Sequence, residues 1–99
     1  MNRFVELVST NPARIMGLYP RKGTLAVGSD ADIVIFDPKK EIRIDHSTLA
    51  TNCDWSPYQG FKVRGFPEYT ILRGNVIVEK GSFCGEKGMG HFLERTLLQ

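Results

Sequence analysis

Asn11-Pro12-Ala13-Arg14-Ile15-Met16-Gly17-Leu18-Tyr19-Pro20-Arg21-Lys22-Gly23, followed by Gly28-Ser29-Asp30-Ala31-Asp32-Ile33-Val34-Ile35-Phe36-Asp37, decides the fold class. It reads as a capped helix, then a Gly/Pro turn, then a fully apolar strand. Thr10 or Asn11 can cap the helix, Pro12 suits its first position, and Gly17 can supply the C-terminal turn. Ile33 to Phe36 is apolar on both faces, so the pattern predicts a central strand covered on both sides.

Upstream, Phe4, Leu7 and Val8 have helical spacing and predict a short helix over about 3 to 9. Downstream the signals are those of strands. Gly23 and Gly28 bracket a short strand candidate, Thr24 to Val27. Asp37-Pro38 ends the apolar strand, and Glu41 to Asp45 alternates as a half-exposed one. Residues 46 to 60 read as a long loop, and Phe61 to Arg64 as another strand. Tyr69 to Arg73 and Val76 to Glu79 flank Gly74-Asn75, a two-residue hairpin signal that places Leu72 near Val76. Lys80-Gly81 closes this hairpin, and Phe83 can continue the sheet. The fold class is α+β, with short N-terminal helices followed by antiparallel-rich strands.

The chain has 99 residues, 41% of them hydrophobic, and a net charge of +2. That size favours one small domain with a modest core. The charge is too small and too evenly spread for nucleic acid. The basic pairs Arg21-Lys22 and Lys39-Lys40 read as solvated surface. The longest apolar run is far too short to span a bilayer, and no secretory segment is evident. Cys53 and Cys84 carry no CxxC pattern and read as inert free thiols. A soluble, cytoplasmic protein is the expectation.

Candidate chemistry is sparse. His46 and His91 lie far apart and in no metal-binding motif, so they read as surface residues rather than a metal pair. Asp30 and Asp32 resemble paired carboxylates, but a turn followed by the approach to a strand explains them. Gly85-Glu86-Lys87-Gly88-Met89-Gly90 lacks the order of a phosphate loop and reads as flexible tail. Trp55, Pro57, Tyr58, Phe61, Phe66 and Tyr69 form an aromatic-rich group with few interleaved cations, which favours core or interface packing. No residue is assigned a catalytic, cofactor-binding or metal-binding role.

The helix-turn-strand run resembles the C-terminal end of a cyclic amidohydrolase of the dihydropyrimidinase/hydantoinase family. Asn52-Cys53-Asp54-Trp55-Ser56-Pro57-Tyr58-Gln59-Gly60, Val63-Arg64-Gly65-Phe66-Pro67 and Leu72-Arg73-Gly74 carry the same resemblance. It covers nearly the whole chain. It implies a helical segment over 1–20 from the end of a (β/α)8 barrel, a partial small β-sandwich over 21–84, and a tail over 85–99 that often packs on a neighbouring subunit. The barrel itself, its metal-binding histidines and carboxylated lysine, and the sandwich's N-terminal strands are not in this chain.

The resemblance further implies a longer parent that hydrolyses the cyclic amide bond of a hydantoin, dihydropyrimidine or allantoin-like ring. Its water would be activated by a binuclear metal centre, usually zinc. The chain alone is expected to be inactive, and to associate with copies of itself or with the missing barrel and strands. The alternative is a non-enzymatic β-sandwich binding or assembly module.

Overall fold

The computed structural model describes residues 1–96. Its N-terminus is one continuous helical run: α1 (Asn2–Val5), a π turn (Glu6–Thr10) and α2 (Asn11–Ile15). The predicted break between two helices is absent. Thr10 and Asn11 both hold right-handed helical backbone, and neither makes a side-chain cap. The cause is Pro12, which has no N–H to give to the preceding turn. The chain widens there, and the Asn11 N–H reaches back to the Glu6 carbonyl in the wider π pattern. The Thr10 hydroxyl, freed from capping, donates to the Gly23 carbonyl at 2.8 Å.

Gly17 ends the run as expected. Its φ is +69°, its N–H donates to Arg14 O at 3.1 Å, and the Leu18 N–H donates to Ala13 O at 2.8 Å. This double closure is the Schellman arrangement, which needs left-handed backbone at the glycine.

Four strands then form one antiparallel sheet in the order β1 (Ile33–Arg43), β2 (Lys62–Leu72), β3 (Asn75–Glu79), β4 (Ser82–Phe83). Several sequence expectations are corrected here. Ile33 to Phe36 lies in an edge strand, with Val34 58% and Ile35 48% exposed, and the described residues do not cover both its faces. Asp37-Pro38 does not end β1. The strand passes through a bulge in which Asp37 to Glu41 faces only Phe66 to Arg64, and an edge strand tolerates a proline there. Thr24 to Val27 is irregular instead of a strand, a bend at Thr24 leading to a turn that begins at Val27; Leu25 and Val27 are exposed and find no partner strand.

The hairpin exists but is displaced by one residue. Its loop is Arg73-Gly74, both with positive φ (45° and 82°), and Leu72 pairs with Asn75. Lys80-Gly81 repeats the device with φ 48° and 83°, linking Glu79 to Ser82. Both pairs have the two positive φ angles that a two-residue I′ loop requires.

Packing is thin. Ala13, at 7% exposure, is the one buried hydrophobic side chain among the described residues. It faces Gly23, where an added Cβ would stand 2.5 Å from the Ala13 Cβ. Phe4 meets the Phe36 ring at 5.4 Å, bringing the helical run against β1. Many large apolar side chains remain open, Ile15 at 71% among them.

The turn Lys80-Gly81 yields a direct test. Lys80 holds left-handed backbone, which costs an ordinary residue about 1–3 kcal/mol. Lys80→Asn should recover a fraction of this, roughly 0.5 kcal/mol, because Asn visits that region readily. Chemical denaturation should show a higher midpoint with an unchanged slope. A lower midpoint would contradict the turn geometry.

Candidate functional site

The densest polar cluster joins the end of the helical segment, the loop before β1 and the first hairpin turn. Lys22, with only 16% of its side chain exposed, donates to Asp30 Oδ2 at 2.8 Å and also to Asp32. Arg21 Nε reaches the same Asp30 oxygen at 3.1 Å. The second oxygen of Asp32 accepts the Arg73 N–H at 2.9 Å, and the Gly74 N–H donates to Ala31 O at 3.0 Å. The Arg73 guanidinium continues outward to the Met89 carbonyl. Residues 41 positions apart are thus clipped through Asp32.

The electrostatics follow from these contacts. The Lys22 hydrogen bond, with help from Arg21, holds the Asp30 carboxyl below its ordinary value. For Asp32, burial is the largest influence and pushes upward. The hydrogen bonds from Lys22 and the Arg73 backbone outweigh it, so this carboxyl is also lowered. For Lys22, burial pulls downward, but the two aspartates overcome it and raise the ammonium above 10.5. Both acids therefore stay ionised at neutral pH and already face cations. Neither has a proton to deliver, and the arrangement acts as a latch.

The reading of Arg21-Lys22 as solvated surface is corrected for Lys22, whose ammonium is held between two carboxylates. Lys40 likewise pairs with Glu68. The structural reading of Asp30 and Asp32 agrees with their positions. What the sequence did not reveal is the part played by Arg73, because it depends on a backbone N–H in a turn remote in sequence.

The other candidates remain apart. His46 belongs to a loop knot: Gln59 Oε1 accepts from its N–H at 2.8 Å and lies 3.1 Å from its Nδ1. Asp45 opens the short 3₁₀ turn His46–Thr48 by accepting from the Ser47 N–H at 2.9 Å and the Ser47 hydroxyl at 2.7 Å. Those hydroxyl and N–H bonds lower the Asp45 carboxyl. His91 is exposed. Cys53 and Cys84 are free and exposed. Among the described residues no three His, Cys, Asp or Glu side chains converge on one point. The single converging carboxylate pair already encloses an ammonium, so these side chains do not fit a zinc pair.

Gly85 to Gly90 joins a strap rather than a phosphate loop. The Cys84 N–H donates to Ile77 O at 2.9 Å, Met89 receives Arg73, and Thr96 returns to the helical segment. There the Thr96 N–H and hydroxyl both donate to Gly17 O, at 2.9 and 3.0 Å. The expected tail thus folds back within the chain as far as Thr96; residues 97–99 lie outside the described part.

This helix-latch-sheet unit belongs to the amidohydrolase family, whose profile matches residues 1–78. It is 50% identical to the D-hydantoinase of Ralstonia pickettii and 47% identical to that of Rhizobium radiobacter, covering 96% of this chain and 21% of each relative. Solved structures agree. A D-hydantoinase superposes with a TM-score of 0.94 at 49% identity, and the dihydropyrimidinase of Brevibacillus agri NCHU1002 with 0.95 at 39%, each covering all of this chain and 22% of the other. The chain spans about a fifth of the length of the relatives it matches. Among the described residues no helix is long and apolar enough to cross a membrane.

The latch predicts a pH response. Asp30 and Asp32 have lowered carboxyls, so their contribution is full above the ordinary aspartate value of 3.8 and is lost as pH falls through the lower folded values. Lys22 is raised, so its contribution is full below 10.5 and is lost as pH climbs past that value. Asp32→Asn should therefore lower the melting temperature at pH 7 and flatten the acid limb of the melting curve. An unchanged acid limb would remove the latch as its source.

Proposed function

We propose that the chain is the C-terminal structural part of a cyclic amidohydrolase that opens hydantoin or dihydropyrimidine rings. The observation that carries this reading is its match to the D-hydantoinases over nearly all of its own length and only a fifth of theirs, joined to a single buried hydrophobic side chain among the described residues. In this reading residues 1–20 close the barrel domain, 21–84 form part of a small sandwich, and 85–99 are the tail. Its one sheet leaves faces open for further strands.

No residue of this chain is catalytic in this scheme. The metal, zinc in the family's usual form, would be held by the remaining four-fifths of a longer polypeptide and would supply an activated water there. The residues here position structure: Lys22, Asp30, Asp32 and Arg73 fix the sheet against the helical segment. The unpaired Cys53 and Cys84 suit a reducing cytoplasm. The open apolar side chains favour an oligomer.

The purified 99-residue chain, with or without added zinc, should not hydrolyse hydantoin or dihydrouracil. Chelator-sensitive turnover by it would overturn the reading. As a second arm, this chain replaces the matching segment of the Ralstonia pickettii D-hydantoinase. The chimera should hydrolyse hydantoin; a folded but inactive chimera would favour the free-standing assembly module instead.

A further inference from the structure

Past β4 the chain leaves the sheet and crosses back to the helical segment. Residues 84–96 hold no regular structure apart from a turn at Lys87-Gly88. Anchors lie at the two ends of this stretch and near its middle. The Cys84 N–H donates to Ile77 O at 2.9 Å, one step beyond the pairing of β4 with β3. The Met89 carbonyl accepts from the Arg73 guanidinium. At the far end the Gly17 carbonyl accepts both Thr96 donors, at 2.9 and 3.0 Å. Burial adds little: Phe92 is 92% exposed, and only Gly85, Met89 and Leu93 in this stretch are half-buried. A segment with so few apolar contacts opens at a lower free energy than the sheet it leans on.

The middle anchor depends on the latch. Arg73 holds left-handed backbone, with φ 45°, a conformation that an ordinary side chain adopts only under strain. Asp32 Oδ1 accepts its N–H at 2.9 Å, and Ala31 O accepts the Gly74 N–H at 3.0 Å. The loop before β1 thereby fixes the turn from which the guanidinium is aimed at Met89. We propose that residues 84–96 form a strap that opens as a unit while the sheet stays paired, and that Asp32 sets how readily it opens by holding Arg73 in place.

Two further observations favour a strap with a defined closed seat over a tail that drifts. First, it meets the helix end closely: a Cβ added at Gly17 would stand 2.2 Å from Thr96 O. Second, the Arg73 guanidinium meets a carbonyl and not a carboxylate, so this anchor separates without stranding a second charge. Opening uncovers the Gly17 carbonyl at the end of the helical run and frees the peptide bond after Lys87 for a protease. Asp32 also faces Lys22, so the tie from helical segment to sheet and the tie from sheet to strap meet at one carboxylate. A change there reaches the strap without passing along the strands. Arg73 is a positioning residue in this scheme, and the device is independent of any hydrolytic activity.

Amide hydrogen exchange at residue resolution, read by NMR on the 99-residue chain, tests this. The Thr96 N–H should exchange through an easier opening than the amides shared between β1 and β2. Arg73→Gly keeps the left-handed turn and the N–H that Asp32 accepts, but removes the guanidinium. It should speed Thr96 exchange about 10-fold, the order expected for one charge-assisted hydrogen bond, and leave the β1–β2 amides within about twofold. Asp32→Ala should act likewise on Thr96, and the double variant should exchange no faster there than the faster single one. Cutting by trypsin after Lys87 should follow the same ranking. Where circular dichroism shows Asp32→Ala unfolded, Asp32→Asn replaces it in the cycle, with a smaller effect and the same absence of a further one. Thr96 protected as strongly as β1 and β2 would overturn the proposal. So would an Arg73→Gly variant that leaves Thr96 unchanged, or single effects that multiply in the double variant.

Discussion

Lys22 lies between Asp30 and Asp32, and Asp32 in turn holds the Arg73 N–H. These contacts do for this chain what a hydrophobic core does for most domains. With Ala13 as the one buried hydrophobic side chain among those described, apolar packing alone gives little reason for the helical segment to keep a fixed place against the sheet. The polar ties give one. Thr10 holds the Gly23 carbonyl, Lys22 holds the two aspartates, Asp32 holds the turn, and Arg73 holds the strap. Each is directional, so together they specify position, whereas burial mainly supplies strength. Partly exposed ionic contacts contribute modestly to stability. The same unit is therefore well specified and weakly held until another surface covers its apolar side chains.

That combination is what a segment of a larger amidohydrolase requires. A TM-score of 0.94 over the full chain shows that its shape matches the corresponding fifth of a D-hydantoinase. The open side chains of the helical segment and of β1 are unusual for a solitary domain and ordinary for a piece of an extended one.

Much of this was legible in the sequence, for local reasons. Gly17 ends the helix because only left-handed backbone closes it, and a glycine after a periodic run announces that. Lys80-Gly81 and the alternation of Glu41, Ile42 and Arg43 were readable on the same basis. The misreadings share a physical origin. Ile33 to Phe36 has the composition of a covered strand, yet composition reports the environment a segment suits and not whether this chain provides it. Pro12 does stand in the first turn of α2, but a π turn joins that helix to the one before it, so the expected break is missing. The hairpin was displaced by one position because Arg73, an unremarkable turn former, takes the left-handed place that Asn75 seemed to claim. The latch was only half visible: Asp30 and Asp32 stood out, but no pattern advertises a backbone N–H at Arg73 or a carbonyl at Met89. The family resemblance did survive these errors, since it rests on residue identities rather than on element boundaries.

The Thr96 contact with Gly17 has a mechanical side. Two donors on Thr96 share one carbonyl across 79 positions of sequence, and everything between them becomes a closed loop. Tension applied between the helical segment and a point beyond Thr96 would pass through that contact and bypass the sheet. The strands would carry no load until both hydrogen bonds yielded. The pair shunts load around the strands, set to give way before β1 and β2 unzip.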